Sequence, residues 1–262
     1  EDSTIGVEAK KLFNDAQSML RRIIDENWLG AKAVFGIFPA NTIDDDDIEI
    51  YKDDSRQVVD VVLRNLRQQR KKAPGQANFC LSDFIAPKES KLPDYIGAFA
   101  VTAGIGIEKQ IKVFEENHDD YNAILLKALA DRLAEAFAER LHQRVRIEFW
   151  AYAPNEQLDN EALIREKYRG IRPAPGYPAC PEHTEKKTLF AMLEVEKRIG
   201  IKLTESCAMY PAASVSGWYF AHPESKYFGL GNIKRDQLED YAKRKGMPIE
   251  EAKRWLQSVL VE

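Results

Sequence analysis

The chain has 262 residues, of which 44% are hydrophobic and 31% are charged, a composition typical of a globular protein that can bury a substantial core. Its formal net charge is -4, so the chain as a whole lacks the basic surface that nucleic-acid binding requires. We therefore predict no nucleic-acid partner, and we interpret the basic stretch 64–72 as a solvated helical face.

Membrane insertion and disulfide bonding are not predicted either. The longest apolar run, 95–107, is too short and too interrupted by glycine to span a bilayer, and no signal peptide is apparent. The cysteines are odd in number and widely spaced, which indicates reduced thiols: Cys80, Cys180 and Cys207. These features predict a cytoplasmic protein without a membrane partner.

The first half of the chain predicts one helix followed by strands. Helical spacing of apolar residues from about Val7 predicts an amphipathic helix that closes at 28–30. The predicted strands are 33–38, ended by Pro39, then 58–63, then 95–101. Four adjacent carboxylates at 44–47 repel one another and therefore indicate a hydrated turn rather than a cation site.

The second half is predicted to be mainly helical. A helical pattern over 107–145, with a break near 116–121, contains the longest predicted helix. The other signals are a helix capped by Thr184 and ended by Gly200, two short strands within 218–228, and a helix capped by Asp236 and ended by Gly246. Because strands and helices do not alternate, we predict an α+β fold with an antiparallel or mixed sheet.

Two patterns that resemble ligand sites are incomplete. The stretch 102–109 looks like a dinucleotide-binding loop, but Lys109 stands where the third glycine is needed. Cys180 and His183 have the spacing of half a zinc site, and no second close pair completes it. We predict a packed thiol, a capping histidine and no bound metal.

Two carboxylates on the long helix form a third candidate. Asp131 and Glu135 lie one turn apart, and Ala128, Ala134 and Ala138 would give the same part of the helix a surface of small residues. The same spacing is typical of an ordinary charged stripe on a solvated helix, and the residues alone favour this second interpretation.

The strongest candidate site is the segment 170–183, which reads GIRPAPGYPACPEH. Prolines fix the backbone, and Gly176 permits either a turn with positive φ or close approach of a ligand. Arg172 offers donors suited to a carboxylate, and Tyr177 offers an aromatic face with a polar tip. The residues are compatible with a site for an amino-acid-like ligand and, equally, with a proline-rich wall that packs against the body.

Several longer motifs carry a family resemblance. They are FPAN (38–41), DDIEIY (46–51), DFIAP (83–87), DYIGAFAV (94–101), KALADRLAEAFAERLH (127–142), GIRPAPGYPACPEHTEK (170–186), LTESCAMYPAASVSGWYF (203–220) and HPESKYF (222–228). Together, and in this order, they resemble the C-terminal S-adenosylmethionine-binding reactivation domain of cobalamin-dependent methionine synthase. The resemblance covers nearly the whole chain.

This resemblance implies a function in reductive reactivation. The family domain binds S-adenosylmethionine and donates its methyl group to cob(I)alamin, which a partner domain holds, while a flavodoxin-like or diflavin reductase supplies the electron. The chain would thus be the reactivation domain of a methyltransferase, within methionine biosynthesis from homocysteine. The implied fold is a C-shaped single α+β domain, residues 1–262, with a twisted, mainly antiparallel sheet flanked by helices, one of them long.

The resemblance also implies the ligand contacts, which are Arg172, Ala174, Gly176, Tyr177, Tyr227 and Phe228. Arg172 would hold the ligand carboxylate, and Ala174 and Gly176 would line the site through their backbones. Tyr177 would stand near the sulfonium and the cobalt. Phe228 replaces the second tyrosine of a family Tyr-Tyr pair, so one hydroxyl is missing.

Catalytic roles implied by the resemblance fall on Tyr177 and Glu135. Asp131 and Glu135 would face the incoming corrin. The family's D-W-T-P-F-F segment lies before the start of this sequence, so we expect weaker binding of the cationic methionine portion without it. The D-x-H-x-x-G motif of cobalamin-binding modules does not occur, so cobalamin is expected on the partner domain.

Two other functions remain as alternatives. One is a non-catalytic docking module that embraces a cobalamin-binding domain without binding the nucleotide. The other sets the resemblance aside and is a metal-dependent hydrolase that uses Cys180, Glu182 and His183, although their ligand set is incomplete.

Overall fold

The computed structural model describes residues 3–261 as a mixture of helices and strands. The α-helices are α1 (Ser3–Asp25), α2 (Ile107–Glu116), α3 (Asp120–Arg144), α4 (Asn160–Ile164), α5 (Glu185–Met192), α6 (Val195–Ile199), α7 (Arg235–Lys245) and α8 (Ile249–Leu256). The strands are β1 (Gly30–Ile43), β2 (Asp47–Tyr51), β3 (Val59–Arg64), β4 (Asp94–Ile105), β5 (Lys202–Leu203), β6 (Met209–Tyr210) and β7 (Ser214–Tyr219). A single π-helical turn, Val145–Phe149, continues α3. The predicted α+β class is confirmed.

Five strands form one sheet in the order β3-β2-β1-β4-β7. β1 pairs with β2 antiparallel, with Ala40 opposite Ile50, and β2 pairs with β3 antiparallel, with Ile48 opposite Leu63. β5 and β6 form a separate two-stranded antiparallel ribbon. The predicted central place of 95–101 is confirmed, because β4 lies between two neighbours and is almost wholly buried.

The chain divides into two compact units. The first contains residues up to 34, 100–140 and 195–215, and the second contains 35–99, 141–194 and the chain from 216 onward. In the first unit, α1 and α3 pack through Met19, Ile23 and Leu126. In the second, α7 and α8 enclose an apolar cluster that includes Tyr241 and Leu256.

The predicted helices follow the apolar periodicity. α1 is confirmed, although it begins at Ser3 rather than near Val7. The long pattern 107–145 separates into α2 and α3 at the predicted break, and α3, with 25 residues, is longer than any other helix in the described part of the chain. None of the helices between residues 3 and 261 combines the length and apolar character that a membrane crossing needs.

The predicted end of the first strand at Pro39 is wrong, because β1 runs on to Ile43. The ladder with β2 begins at Ala40. Proline therefore removes no hydrogen bond from that ladder, and the strand tolerates it.

The basic stretch and the acidic run pair with each other, so the predicted helical face is wrong, whereas the predicted turn is confirmed at 44–46. Residues 65–70 are not helical, and Arg67 forms an ion pair with Asp46 at 2.8 Å. Asp47 is fully buried and bonds Arg64 and Arg244. The acidic turn is thus hydrated only in part, because cations from distant segments reach its buried end.

The predicted cap of α5 is also wrong in detail. Thr184 occupies the N-cap position, but its side chain bonds no helix amide. Its hydroxyl and its N–H both donate to the Glu182 carboxylate, each at 2.6 Å. The helix stops at Met192, and α6 follows before Gly200. A nearby buried carboxylate competes successfully for the hydroxyl.

Two predictions near the end of the chain need smaller corrections. Lys234 is the N-cap residue of α7, and Asp236 is the second residue of its first turn; Gly246 ends the helix as predicted. Only one strand, β7, lies in the segment predicted to hold two, and beyond it a turn closes where the Ser225 N–H donates to His222 O at 3.1 Å.

Candidate functional site

The segment 170–183 lies beside the end of β7 in the second unit. Ile171 and Phe220 exchange two backbone hydrogen bonds of 3.0 Å, and Trp218 N–H donates to Pro173 O at 2.9 Å. Residues 171–173 therefore extend the sheet locally. Ile171 and Pro173 are buried and Arg172 is partly exposed, as expected when alternate side chains of an extended segment point to opposite faces.

The following residues form a tight turn closed by backbone bonds. Gly176 N–H donates to Cys180 O at 2.8 Å, and Cys180 N–H donates back to Tyr177 O at 3.0 Å. Tyr177 N–H and the Cys180 thiol both donate to Ala174 O, at 3.1 and 3.0 Å. Burial raises the pKa of the Cys180 thiol, which keeps it protonated and able to donate. The predicted packed thiol is confirmed in this structural role.

Gly176 supplies the backbone conformation that the turn needs. Its φ is +94°, which is strained for residues with a Cβ. The His183 ring fills the position that a Cβ would take, because a Cβ on Gly176 would lie 2.3 Å from Cε1 of His183. His183 is thus packed against the turn rather than capping a helix.

Arg172 is held at both ends by phenol groups. Its backbone N–H donates to the hydroxyl of Tyr227 at 3.0 Å, and its Nη1 donates to the hydroxyl of Tyr168 at 3.3 Å. Tyr227 is 40% exposed, and partial burial of its hydroxyl raises its pKa, so the hydroxyl stays protonated at neutral pH. The arginine is therefore fixed while its side chain remains partly open to solvent.

Two aromatic residues of the candidate site differ in exposure. Tyr177 is 62% exposed, so its ring is accessible from solvent. Phe228 is partly buried, and its ring centroid lies 6.0 Å from that of Phe79 and 6.4 Å from that of Phe84. Aromatic packing therefore holds the Phe228 ring.

The two helix carboxylates belong to the first unit. Asp131 and Glu135 lie one turn apart on α3 and both are exposed. The expected surface of small residues beside them is wrong in part, because Ala134 and Ala138 are buried. The carboxylates thus lie on a solvent-exposed face of α3, whereas these alanines lie on a buried face.

No group of three metal-ligating side chains occurs among residues 3–261. Glu182 is committed elsewhere, since its carboxylate accepts from Thr184 and from the Tyr241 hydroxyl at 3.1 Å. This arrangement gives the hydrolase alternative no support.

Sequence reasoning missed Tyr168 and the buried groups around it. The Arg146 guanidinium lies 4.1 Å above the Tyr168 ring, and His142 meets the same ring edge-on at 5.0 Å. The sequence signal was the tyrosine four residues before Arg172. The π-helical turn that contains Arg146, an irregularity frequent at functional sites, is seen in the structure.

Comparisons with known proteins agree on the kind of domain. The sequence model of the family described as "Vitamin B12 dependent methionine synthase, activation domain" matches residues 1–246. The chain is also similar to the crystal structure of the MetH reactivation domain bound to AdoHcy, with 60% sequence identity and a TM-score of 0.95. That match covers 100% of this chain and 80% of the other.

Proposed function

The chain belongs to the activation-domain family of vitamin B12 dependent methionine synthase, and on that premise we propose that it binds S-adenosylmethionine and donates the methyl group to cob(I)alamin held by a partner domain. A related domain of 60% identity is bound to AdoHcy, the compound that remains after the methyl group leaves. The family membership and this bound product support the ligand class.

The main structural support for the proposal is the position of Arg172, which is partly exposed on a fixed backbone. Arg172 stands on a segment that is bonded to the sheet on one side and closed by a braced turn on the other. Such a planar fork of donors suits the carboxylate of the methionine portion. Because the backbone is fixed beforehand, little entropy is lost when the ligand binds.

We assign the remaining contacts around this arginine. The Gly176 N–H is used by Cys180, so the proposed backbone contact of Gly176 is through its carbonyl. The Ala174 carbonyl already accepts from Tyr177 and Cys180, so Ala174 would line the site through its N–H. The exposed ring of Tyr177 is suited to a cationic sulfonium through its π face. Tyr227 and Phe228 would complete the wall of the site.

Methyl transfer breaks the bond between sulfur and the methyl carbon and releases S-adenosylhomocysteine. Cobalamin, when the partner domain holds it, supplies the nucleophilic cobalt. This chain contributes the oriented donor, so most of its effect on the rate is proximity. We assign Tyr177 to the reacting end of the ligand and the exposed carboxylates Asp131 and Glu135 to the corrin-facing surface.

The partners follow from the same proposal. They are a cobalamin-binding domain of methionine synthase and a flavodoxin-like or diflavin reductase that delivers the electron. We further propose that residues 1–262 act as one reactivation domain in the cytoplasm, although the described chain has two compact units.

Calorimetric titration with S-adenosylmethionine and S-adenosylhomocysteine tests the proposal. Arg172→Ala should weaken binding about 10- to 150-fold, since hydrogen bonds to charged groups are worth about 1.5–3 kcal/mol. Arg165→Ala is the matched control, because Arg165 is exposed and pairs with the equally exposed Glu161 one helical turn away; it should bind like the native chain.

Equal binding by the native chain and by Arg172→Ala would remove the assigned role of the arginine. If the native chain gives no binding heat yet co-purifies with a cobalamin-binding domain, the function is that of a docking module instead.

A further inference from the structure

We propose that Tyr168 is a positioning residue: with Tyr227 it forms a two-phenol bridge that ties the Arg172 guanidinium to the Arg172 backbone and aims it at the ligand carboxylate. This inference rests on the proposed function. It concerns a residue that contacts the binding arginine rather than the ligand itself.

The bridge begins at the two polar ends of Arg172. Nη1 donates to the Tyr168 hydroxyl at 3.3 Å, and the backbone N–H donates to the Tyr227 hydroxyl at 3.0 Å. Hydrogen bonding from the Arg172 amide and from Tyr168 opposes the rise that burial causes in the pKa of Tyr227. The two hydroxyls thus hold one arginine at its backbone and at its guanidinium.

The Tyr168 ring is held so that its hydroxyl has little freedom. Tyr168 is only 8% exposed, and the Arg146 guanidinium covers one face at 4.1 Å. Arg146 is itself fully buried and makes a two-point ion pair with Glu156, at 2.7 and 2.8 Å. The His142 ring closes the edge at 5.0 Å.

The groups behind the bridge carry little net charge of their own. The guanidinium of Arg146 is compensated by Glu156. Burial, with the neighbouring Arg146 and Arg172, holds the pKa of His142 well below its usual value, so the imidazole is neutral. His142 and Arg146 therefore hold the Tyr168 ring in place without attracting the ligand carboxylate away from Arg172.

Tyr168→Phe tests the inference, because it keeps the ring contacts with Arg146 and His142 and removes only the hydroxyl. Affinity for S-adenosylhomocysteine should fall about 3- to 10-fold, with a melting temperature within about 3 °C of the native chain. Tyr152→Phe is the matched control: its hydroxyl lies 3.3 Å from Nε2 of His142 in the same cluster, and its removal should leave the affinity within about twofold.

Two further measurements separate positioning from a general structural effect. Tyr168→Phe should have no additional effect in the Arg172→Ala background, because the phenol acts through that arginine. It should also leave binding of 5′-methylthioadenosine unchanged, since this nucleoside lacks the carboxylate.

Native-like affinity of Tyr168→Phe, or equal weakening for both nucleosides, would overturn the inference while the proposed function stands. Failure of the native chain to bind S-adenosylhomocysteine would overturn both.

Discussion

Replacement of Gly176 by alanine should cost far more stability than the same change at another glycine of positive φ. The backbone at Gly176 has φ of +94°, and an alanine there costs about 1–2 kcal/mol for the left-handed conformation. In addition, the new Cβ would lie 2.3 Å from Cε1 and 2.6 Å from Nδ1 of His183, so the ring must move. Overpacking of this kind costs about 1–3 kcal/mol, which gives a total of about 2–5 kcal/mol.

Gly75→Ala isolates the backbone part of that cost. Gly75 has a similar φ of +83°, but a Cβ added there would meet nothing within 4 Å. Urea unfolding followed by tryptophan fluorescence should therefore show a loss of only about 1–2 kcal/mol for Gly75→Ala.

His183→Ala should relieve the clash at Gly176. In the Gly176→Ala/His183→Ala double variant, the loss should be smaller than the sum of the two single losses by about 1–3 kcal/mol, the overpacking part. A Gly176→Ala variant that loses no more stability than Gly75→Ala, or strictly additive losses in the double variant, would show that His183 does not crowd a side chain at position 176.

The other predictions concern buried ionisable groups. The folded chain keeps His142 neutral, so below about pH 6.5 the unfolded chain binds a proton that the folded chain does not, and stability falls as the pH falls. His142→Phe should remove up to about 1.4 kcal/mol per pH unit of this slope in urea unfolding between about pH 7 and 5.5, and an unchanged slope would contradict it. Asp47→Asn should cost about 3–5 kcal/mol, because it leaves Arg64 and Arg244 facing a buried amide; a loss below about 1 kcal/mol in the same assay would count against the buried ion pairs.

The helices and the central strand could be predicted because their signals are local. The apolar stripe of α3, the unbroken apolar run of β4 and the glycine at 246 each depend on residues close together in the chain. The end of β1 could not be predicted, since tolerance of Pro39 depends on where the neighbouring strand begins to pair.

The candidate site was predictable only as a segment. Arg172, Gly176 and Tyr177 stand out in the sequence through their chemistry and their prolines. The support beneath them comes from tertiary contacts, such as the pairing of Ile171 with Phe220 and the hydroxyl of Tyr227, which is 55 residues away from Arg172. Such contacts leave no periodic signal, so sequence patterns cannot reveal them.

Polar contacts were hardest to predict where a buried charged group competes with the local backbone or with water for a hydrogen bond. Thr184 has the residue type and position of a helix cap, yet the Glu182 carboxylate takes its hydroxyl. Asp47 lies in a run typical of a hydrated turn, yet two arginines from distant segments reach it. In both cases a charged group nearby in space offers a stronger hydrogen bond than the local backbone or water.

We propose that Arg172 receives the carboxylate of an S-adenosylmethionine-type ligand, and a crystal structure of this chain with S-adenosylhomocysteine tests this most directly. We expect electron density for the carboxylate within hydrogen-bond distance of the Arg172 guanidinium, with the sulfur beside the ring of Tyr177. Density for the ligand at another place, or a bound ligand whose carboxylate is held by other residues, would contradict it.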